Sequence, residues 1–103
     1  MAEWVKVAQV GEIPEGRVKT VLAKGQRLAL AHLVGGTYHA IEDRCTHDNG
    51  PLGEGALVED QVECPRHGAR FNMKTGQPVT LPAVIPVISF RVKVVGNDIL
   101  VEL

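Results

Sequence analysis

Cys45-Thr46-His47 and Cys64-Pro65-Arg66-His67-Gly68 are the two stretches of this sequence that decide its fold and its chemistry. The first has the pattern C-x-H, the second has the pattern C-x-x-H, and residues 48–63 separate them. Thiolate and imidazole are both good ligands for iron and zinc. Each short spacing lets two side chains of one loop converge on a small centre. The sequence therefore predicts a metal site formed by two loops, which a short hairpin between them would bring face to face.

Both motifs lie in segments that do not have the pattern of strands. Residues 45–55 contain three glycines and a proline, and residues 64–76 hold the second motif. The short apolar runs around these segments are punctuated by 6 prolines and 11 glycines, which is typical of an all-β fold. Helix is limited to a turn or two, and we expect it near residues 10–14.

Three hairpins are predicted from turn residues that stand between apolar runs. Residues 28–34 are almost continuously apolar, as in a buried strand, and turn at Gly35-Gly36 into residues 37–41. The second hairpin turns at Glu59-Asp60 and the third at Gly96-Asn97-Asp98. Residues 4–7 and 90–94 alternate apolar and polar side chains, so each predicts a strand with one buried face.

The composition is that of one ordinary globular domain. The 103 residues are 45% hydrophobic and 22% charged, with a net charge of −1, so no charge excess points to nucleic acid or a membrane surface. The N-terminus has no secretory pattern, and the apolar window at residues 80–90 is too short to span a membrane. We therefore expect a soluble, cytoplasmic protein. In that reducing compartment its 2 cysteines are more typical of a metal or catalytic site than of a disulfide.

The two motifs and their surroundings resemble the Rieske ferredoxin family from Trp4 to the last predicted strand. The resemblance also includes Tyr38-His39-Ala40-Ile41-Glu42-Asp43, Phe71-Asn72 and Leu81-Pro82-Ala83. It implies one [2Fe–2S] cluster, in which Cys45 and Cys64 bind one iron and His47 and His67 bind the other, nearer solvent. It also implies the Rieske fold, an antiparallel β-sandwich in a single domain over residues 1–103. The cluster-binding subdomain of two loops would span about residues 43–83.

Within that family the sequence is closer to the low-potential soluble ferredoxins than to the high-potential membrane-anchored proteins. In the high-potential proteins each cluster loop carries an extra cysteine, and the two form a disulfide. The matching positions here are Gly50 and Arg66. Those proteins also place a serine and a tyrosine hydroxyl near the cluster, whereas Ala69 and Phe71 stand here. Because hydrogen bonds to sulfur raise the reduction potential, we expect a low one.

Other candidate residues have ordinary structural explanations beside the functional ones. His32 is interpreted as a hydrogen-bonded strand histidine, and His39 as a surface or half-buried one, because four ligands are already assigned. Pro82 resembles the proline of the loop that covers the cluster in the family; it would also end a strand, and both roles can hold together. Positive φ, close backbone approach or simple turns explain the glycines of the two loops, which are Gly50, Gly53, Gly55 and Gly68.

Charge is unevenly distributed around the motifs. Residues 42–63 carry seven acidic side chains and one basic one, and residues 65–74 carry three basic and no acidic ones. A solvated face is the first interpretation of such runs, and orientation of a partner is the second.

The resemblance implies an electron carrier rather than an enzyme. No nucleophile–base pair or phosphate loop is visible, and we expect no second domain with a mononuclear iron site. The leading hypothesis is a monomer that carries single electrons from a flavin-dependent reductase to a terminal oxygenase and binds no small-molecule substrate. We expect the partner to dock over His47 and His67, on a patch formed by Asp48, Asn49, Pro51, Leu52, Arg66 and Pro82.

Three alternatives remain open. The chain could be the small subunit of another redox enzyme such as nitrite reductase, or an accessory protein of iron–sulfur assembly. It could also be a zinc-bound interaction module. Structural zinc sites usually present C-x₂₋₄-C or H-x₃₋₅-H pairs. The C-x-H and C-x-x-H motifs do not have that pattern, so the iron–sulfur cluster is favoured.

Overall fold

The computed structural model describes residues 3–44, 52–65, 68–79 and 85–103. In these residues the regular structure consists of β-strands and one turn of 3-10 helix, Leu52–Glu54. The strands are β1 Trp4–Gln9, β2 Arg17–Ala23, β3 Gln26–His32, β4 Tyr38–Glu42, β5 Ala56–Val58, β6 Gln61–Glu63, β7 Arg70–Asn72, β8 Ser89–Phe90, β9 Val92–Val95 and β10 Asp98–Glu102. The predicted all-β class is confirmed. No helix in the described ranges is long and apolar enough to cross a membrane.

The strands form three antiparallel sheets. The first has the order β1-β10-β9, the second β2-β3-β4-β8 and the third β5-β6-β7. The third sheet is inserted between β4 and β8 in the sequence, so the chain leaves the second sheet, forms the third and then returns. Residues 90–94 were predicted to form one strand, but the strand is divided at Arg91. Phe90 pairs with β4, whereas β9 pairs with β10, so the chain passes from one sheet to another at this residue.

Strand β3 is buried on both faces and contributes to two hydrophobic cores. Successive side chains of a strand point to opposite faces. Leu28 and Leu30 therefore enter one core, and Ala29 and Ala31 enter the other. This double burial explains why the strand is almost continuously apolar in sequence.

The two cores are named here after one buried member of each. The Ile99 core consists of Ala8, Ile13, Val21, Ala23, Leu28, Leu30, Ala40, Ile99 and Val101. The Cys64 core consists of Ala29, Ala31, Leu33, Ile41, Leu52, Val62, Cys64, Ala69, Phe71, Met73 and Val87. The second sheet thus packs toward β1 and β10 on one face and toward β6 and β7 on the other. The cysteine of the second motif belongs to a core, not to the surface.

All three predicted hairpins are present: β3 with β4, β5 with β6, and β9 with β10. A further hairpin, between β2 and β3, was not predicted. Its two-residue turn consists of Lys24 with a φ of 53° and Gly25 with a φ of 80°. Two consecutive positive φ values are typical of a type I′ turn, which usually contains Asn-Gly or Asp-Gly. Because lysine is uncommon at the first of these positions, Lys24-Gly25 is a weak turn signal.

Two predictions about local structure were wrong. Residues 10–14 form turns and bends without a helix, and the 3-10 helix lies instead at Leu52–Glu54, inside the first predicted loop. The second predicted loop, residues 64–76, contains strand β7. Only the central residue of β7, Phe71, is buried, and three residues are too few for a visible alternation.

Both histidine interpretations are confirmed. His32 Nδ1 lies 2.9 Å from the carbonyl oxygen of Ile13, so Nδ1 carries the proton and donates it. The His32 ring also stacks on Tyr38, with ring centroids 4.2 Å apart. His39 is half-buried, with Nε2 3.2 Å from the hydroxyl of Thr37. Burial lowers the pKa of His39, and the nearby positive charge of Lys74 lowers it further.

Candidate metal centre

Cys64 stands at the beginning of the turn that joins β6 to β7. Its amide donates a hydrogen bond to the carbonyl of Ala69 at 2.7 Å, and its carbonyl accepts one from the amide of Gly68 at 3.1 Å. These bonds, together with the pairing of Glu63 with Arg70, join the two ends of the connection between β6 and β7. Cys64 is 1% exposed, so its side chain points into the Cys64 core rather than to solvent. The second motif is thus fixed at its first residue by the sheet and the core together.

The other predicted ligands lie outside the described residues, as does much of the predicted docking patch. The positions concerned are Cys45, His47, Asp48, Asn49, Gly50, Pro51, Arg66, His67 and Pro82. Convergence of four ligands on one centre therefore stays a prediction. The described residues show where the chain enters and leaves these segments.

Residues that follow the first motif and residues that begin the second lie together. Leu52 is fully buried and belongs to the same core as Cys64. Its assignment to the docking patch is therefore wrong, because a side chain packed in this core has no surface to offer a partner. Gly55 approaches β6 so closely that a Cβ atom on it would lie 1.9 Å from the carbonyl oxygen of Glu63. The two predicted loops are connected by the β5–β6 hairpin, as expected from their separation in sequence.

The structure separates the possible roles of the loop glycines. Gly68 has a φ of 73°, a conformation that favours glycine. Gly53 and Gly55 do not have positive φ, but both lie against neighbouring backbone. A Cβ atom on Gly53 would lie 2.1 Å from the hydroxyl oxygen of Thr20 and 2.7 Å from its amide nitrogen. Close approach, and not a simple turn, therefore explains Gly53 and Gly55.

Ala69 and Phe71, the residues on which the low-potential prediction depends, are both fully buried in the Cys64 core. Neither side chain can donate a hydrogen bond. A cysteine thiol among apolar side chains fits an iron–sulfur ligand, and these two neighbouring positions offer its sulfur no hydroxyl donor. The described part of the donor set is therefore compatible with a cluster of low potential.

Sequence reasoning missed Asp43, two residues before the first motif. Among the described residues it is the one buried polar or charged side chain, with 2% exposure. Oδ2 accepts a hydrogen bond from the Thr20 hydroxyl at 2.9 Å, and Oδ1 accepts one from the Gly53 amide at 2.5 Å. Asp43 had been counted in an acidic run interpreted as a solvated face, which is wrong for this residue. No pattern in the sequence marks it, because its partners are far along the chain.

The acidic and basic runs meet beside the second motif. Arg70 Nε lies 3.8 Å from Glu63 Oε1, and both side chains are about one-third exposed, at 36% and 35%. The pair spans β6 and β7 directly behind the turn that begins at Cys64. Part of the charge pattern therefore belongs to the third sheet itself.

Comparison with known proteins agrees with this site. Residues 3–96 match the Rieske [2Fe-2S] domain family. The chain is 42% identical over 95 residues to the 3-phenylpropionate/cinnamic acid dioxygenase ferredoxin subunit of Shigella boydii, covering 91% of this chain and 88% of that protein.

Two solved structures have the same fold. The ferredoxin of carbazole 1,9a-dioxygenase from Nocardioides aromaticivorans IC177 superposes with a TM-score of 0.89 at 32% identity, covering 95% of each chain. A chain in the complex of reduced oxygenase and oxidized ferredoxin in carbazole 1,9a-dioxygenase superposes with a TM-score of 0.87 at 37% identity. The match covers 95% of this chain and 91% of that one.

The chain therefore belongs to the Rieske [2Fe-2S] domain family. Within the family it is a ferredoxin of the kind found in dioxygenase systems, an electron carrier rather than a catalytic subunit. The expected Rieske fold and the expected [2Fe–2S] cofactor are confirmed.

Replacement of Gly55 by alanine should disturb the contact between Gly55 and Glu63, the last residue of β6 and the neighbour of Cys64. The added methyl group would overlap the Glu63 carbonyl, so the 3-10 helix or β6 must shift, at a cost of about 1–3 kcal/mol. Gly96→Ala is the control. It has open space around the new Cβ but a φ of 62°, so it should cost about 1–2 kcal/mol through backbone strain alone. Thermal unfolding should detect both changes. Only Gly55→Ala should lose the visible absorbance of the cluster faster than the wild type does. Equal cluster loss in the two variants would contradict the prediction.

Proposed function

We propose that the chain carries single electrons from a flavin-dependent reductase to a terminal oxygenase. The observation that carries the proposal is the match with dioxygenase ferredoxin subunits over most of both chains, 91% of this one and 88% of the relative. The similar ferredoxin in the carbazole 1,9a-dioxygenase complex is bound to an oxygenase, which supports the same type of partner here. We place this system in the cytoplasm and expect the chain to act as a monomer.

The proposed cluster ligands are Cys45, His47, Cys64 and His67. When bound, the cluster supplies one-electron oxidation and reduction. The protein holds the Cys64 sulfur in an apolar core, and Ala69 and Phe71 offer it no hydroxyl. We assign Asp48, Gly50, Arg66, Gly68 and Pro82 to the surroundings of the cluster or to partner contacts.

The alternative functions have less support. A zinc-bound interaction module does not agree with membership in a [2Fe-2S] family. The small subunit of another redox enzyme and an accessory protein of iron–sulfur assembly would use the same cluster. A pull-down from cells under reducing and oxidizing conditions separates these possibilities, since a reductase and an oxygenase are expected among the captured proteins. Capture of assembly proteins alone would contradict the proposal.

Anaerobically purified protein should be red-brown, with about two irons and two sulfides per chain, as expected for one [2Fe–2S] cluster. Cys45→Ser, Cys64→Ser, His47→Gln and His67→Gln should each lower the iron content strongly, because ligation stabilises the folded loops. His39→Gln is the matched control, since His39 lies near the start of β4 with its ring against the Thr37 hydroxyl, and this variant should keep its cluster. Zinc in place of iron, or cluster loss in the control alone, would contradict the ligand assignment.

The reduction potential should lie on the order of −150 mV, at the low end of the Rieske range. Introducing two hydroxyls with Ala69→Ser and Phe71→Tyr should raise it, because new hydrogen bonds to sulfur stabilise the reduced cluster. Phe90→Tyr is the control, since Phe90 packs against the Ile99 core and should leave the potential unchanged. Protein-film voltammetry measures all three proteins. A wild-type value well above zero would contradict the low-potential assignment.

The partner should dock over His47 and His67, where electron transfer has the shortest path. Such redox encounters bury little area. Charge reversal at Arg66 or Asp48 should therefore change the association rate and its salt dependence without changing cluster content.

Lys6→Glu is the control for docking. Lys6 lies on β1, in the sheet that faces the Ile99 core, and forms an exposed ion pair with Asp98 at 3.1 Å. Loss of an exposed pair costs less than about 1 kcal/mol, so the fold should be kept. Stopped-flow transfer to the cognate oxygenase at several ionic strengths measures the rates. If Lys6→Glu slows transfer as much as reversal of Arg66, the docking site lies elsewhere.

A further inference from the structure

We propose that Asp43 is the positioning residue of the first cluster loop, and that it acts through a clamp formed by Thr20, Asp43 and Gly53. This clamp would set how firmly the protein retains its cluster. The inference rests on the proposed ligand assignment, because Cys45 and His47 lie between Asp43 and Gly53 in the sequence. It concerns residues that bind no metal themselves.

The Asp43 carboxylate joins three separate parts of the chain. One oxygen accepts the Thr20 hydroxyl from β2, and the other accepts the amide of Gly53 in the 3-10 helix. The Asp43 amide donates to the carbonyl of Arg27 on β3 at 3.3 Å. The residue is thereby tied to two strands of the second sheet. The chain, having left that sheet, is tied back to it ten residues later at Gly53.

Gly53 fits this clamp because it has no side chain. Its Cα lies so near β2 that a Cβ atom would meet the hydroxyl, the amide nitrogen and the Cα of Thr20, all within 2.9 Å. The next residue back, Leu52, is fully buried in the core that contains Cys64. The far end of the first loop is therefore fixed twice, by Leu52 in the core and by Gly53 at the carboxylate.

The burial of Asp43 argues for a positioning role. Asp43 is only 2% exposed, so its carboxylate loses most of its hydration. If the carboxylate made no specific bonds, an apolar side chain could replace it without loss of stability. Here each oxygen has a donor, and one donor is a backbone amide in the first turn of a short helix. An apolar side chain could fill the space but could not hold the Gly53 amide. The clamp joins the two ends of the ligand segment directly, in addition to the packing of Leu52 in the core.

Thr20 gives the clearest test, because it can be changed without touching the loop. Thr20→Val keeps the shape and the strand preference of β2 but removes the hydroxyl, whereas Thr20→Ser keeps the hydroxyl. Loss of one hydrogen bond to a charged group should speed cluster release by about tenfold. We expect the holoprotein of Thr20→Val to lose its visible absorbance about tenfold faster in excess chelator. Thr20→Ser should behave as wild type.

Asp43 itself gives a second pair of variants. Asp43→Asn can still accept the Gly53 amide with Oδ1, and its amide group can donate to a rotated Thr20 hydroxyl, so it should retain the cluster well. Asp43→Ala leaves both donors without a partner and should release the cluster fastest or fail to load it. If Asp43→Ala does not fold, the Thr20 pair decides the question. Equally fast release from Asp43→Asn and Asp43→Ala would overturn the clamp, because then charge and not position would matter.

A control distinguishes local positioning from general destabilisation. Val101→Ala makes a cavity in the Ile99 core, on the opposite face of the second sheet. Val101→Ala should lower the unfolding temperature at least as much as Thr20→Val does. It should nevertheless release the cluster more slowly than Thr20→Val does. Hydrogen exchange of the holoprotein, followed by mass spectrometry, should show faster exchange in peptides that cover residues 52–58 in Thr20→Val only. The electron paramagnetic resonance lines of the reduced cluster should broaden in Thr20→Val and stay unchanged in Val101→Ala.

The outcomes separate this inference from the proposed function. If Cys45→Ser retains a normal cluster, the ligand assignment fails whatever Thr20 does. If Cys45→Ser loses the cluster while Thr20→Val releases it at the wild-type rate, with unchanged exchange and resonance lines, the assignment stands and the clamp is overturned. If release from Thr20→Val only parallels its loss of global stability, as in Val101→Ala, the role of Thr20 is structural and the clamp is likewise overturned.

Discussion

Double burial of the second sheet is the constraint on which the rest of this ferredoxin depends. Strand β3 sends Leu28 and Leu30 into the Ile99 core and Ala29 and Ala31 into the Cys64 core. A strand with two apolar faces cannot slip by one residue without placing every large side chain on the side that holds alanines. The register of β3 with β2 and β4 is therefore strongly specified. The fixed register also fixes the positions of the residues at the ends of these strands.

Two residues at the end of β4 attach later parts of the chain to the sheet. Glu42 ends β4 and Asp43 follows it directly, and each holds a returning part of the chain. Glu42 exchanges bonds with Ile88, accepting its amide at 2.8 Å and donating its own amide to the Ile88 carbonyl at 2.9 Å. Asp43 holds Gly53. The first cluster motif thus begins at a point where the chain that follows residues 80–84 and the chain that follows residues 45–51 are both attached to the central sheet.

The sequence allowed prediction of features that depend on neighbouring residues. The β3–β4 hairpin, the β5–β6 hairpin and the all-β class follow from apolar runs and turn residues that are close in the chain. Features with a weak local signal, and features that depend on distant residues, were missed. The β2–β3 turn has Lys24 where asparagine is usual, and β7 has one buried side chain. Asp43 is distinguished from the other acidic residues of its run by its contacts with Thr20 and Gly53, which lie elsewhere in the chain. For the site, Cys64 was recognised from its motif, but its place in a core could not be read from C-x-x-H alone.

An electron carrier must keep its cofactor firmly while releasing its partner quickly, and the proposed clamp and docking site would place these tasks in different parts of the chain. The described residues near the motifs hold the chain through short backbone contacts. Gly53 lies against β2 and Gly55 lies against β6, and neither contact leaves room for a side chain. Such contacts rigidify the approach to the cluster without using any exposed surface. The surface that meets a partner is then free to be small and weakly binding, because it does not also have to stabilise the cluster loops. In the proposed clamp, retention of the cluster depends on the buried Asp43 carboxylate, so recognition of the partner is left to other residues.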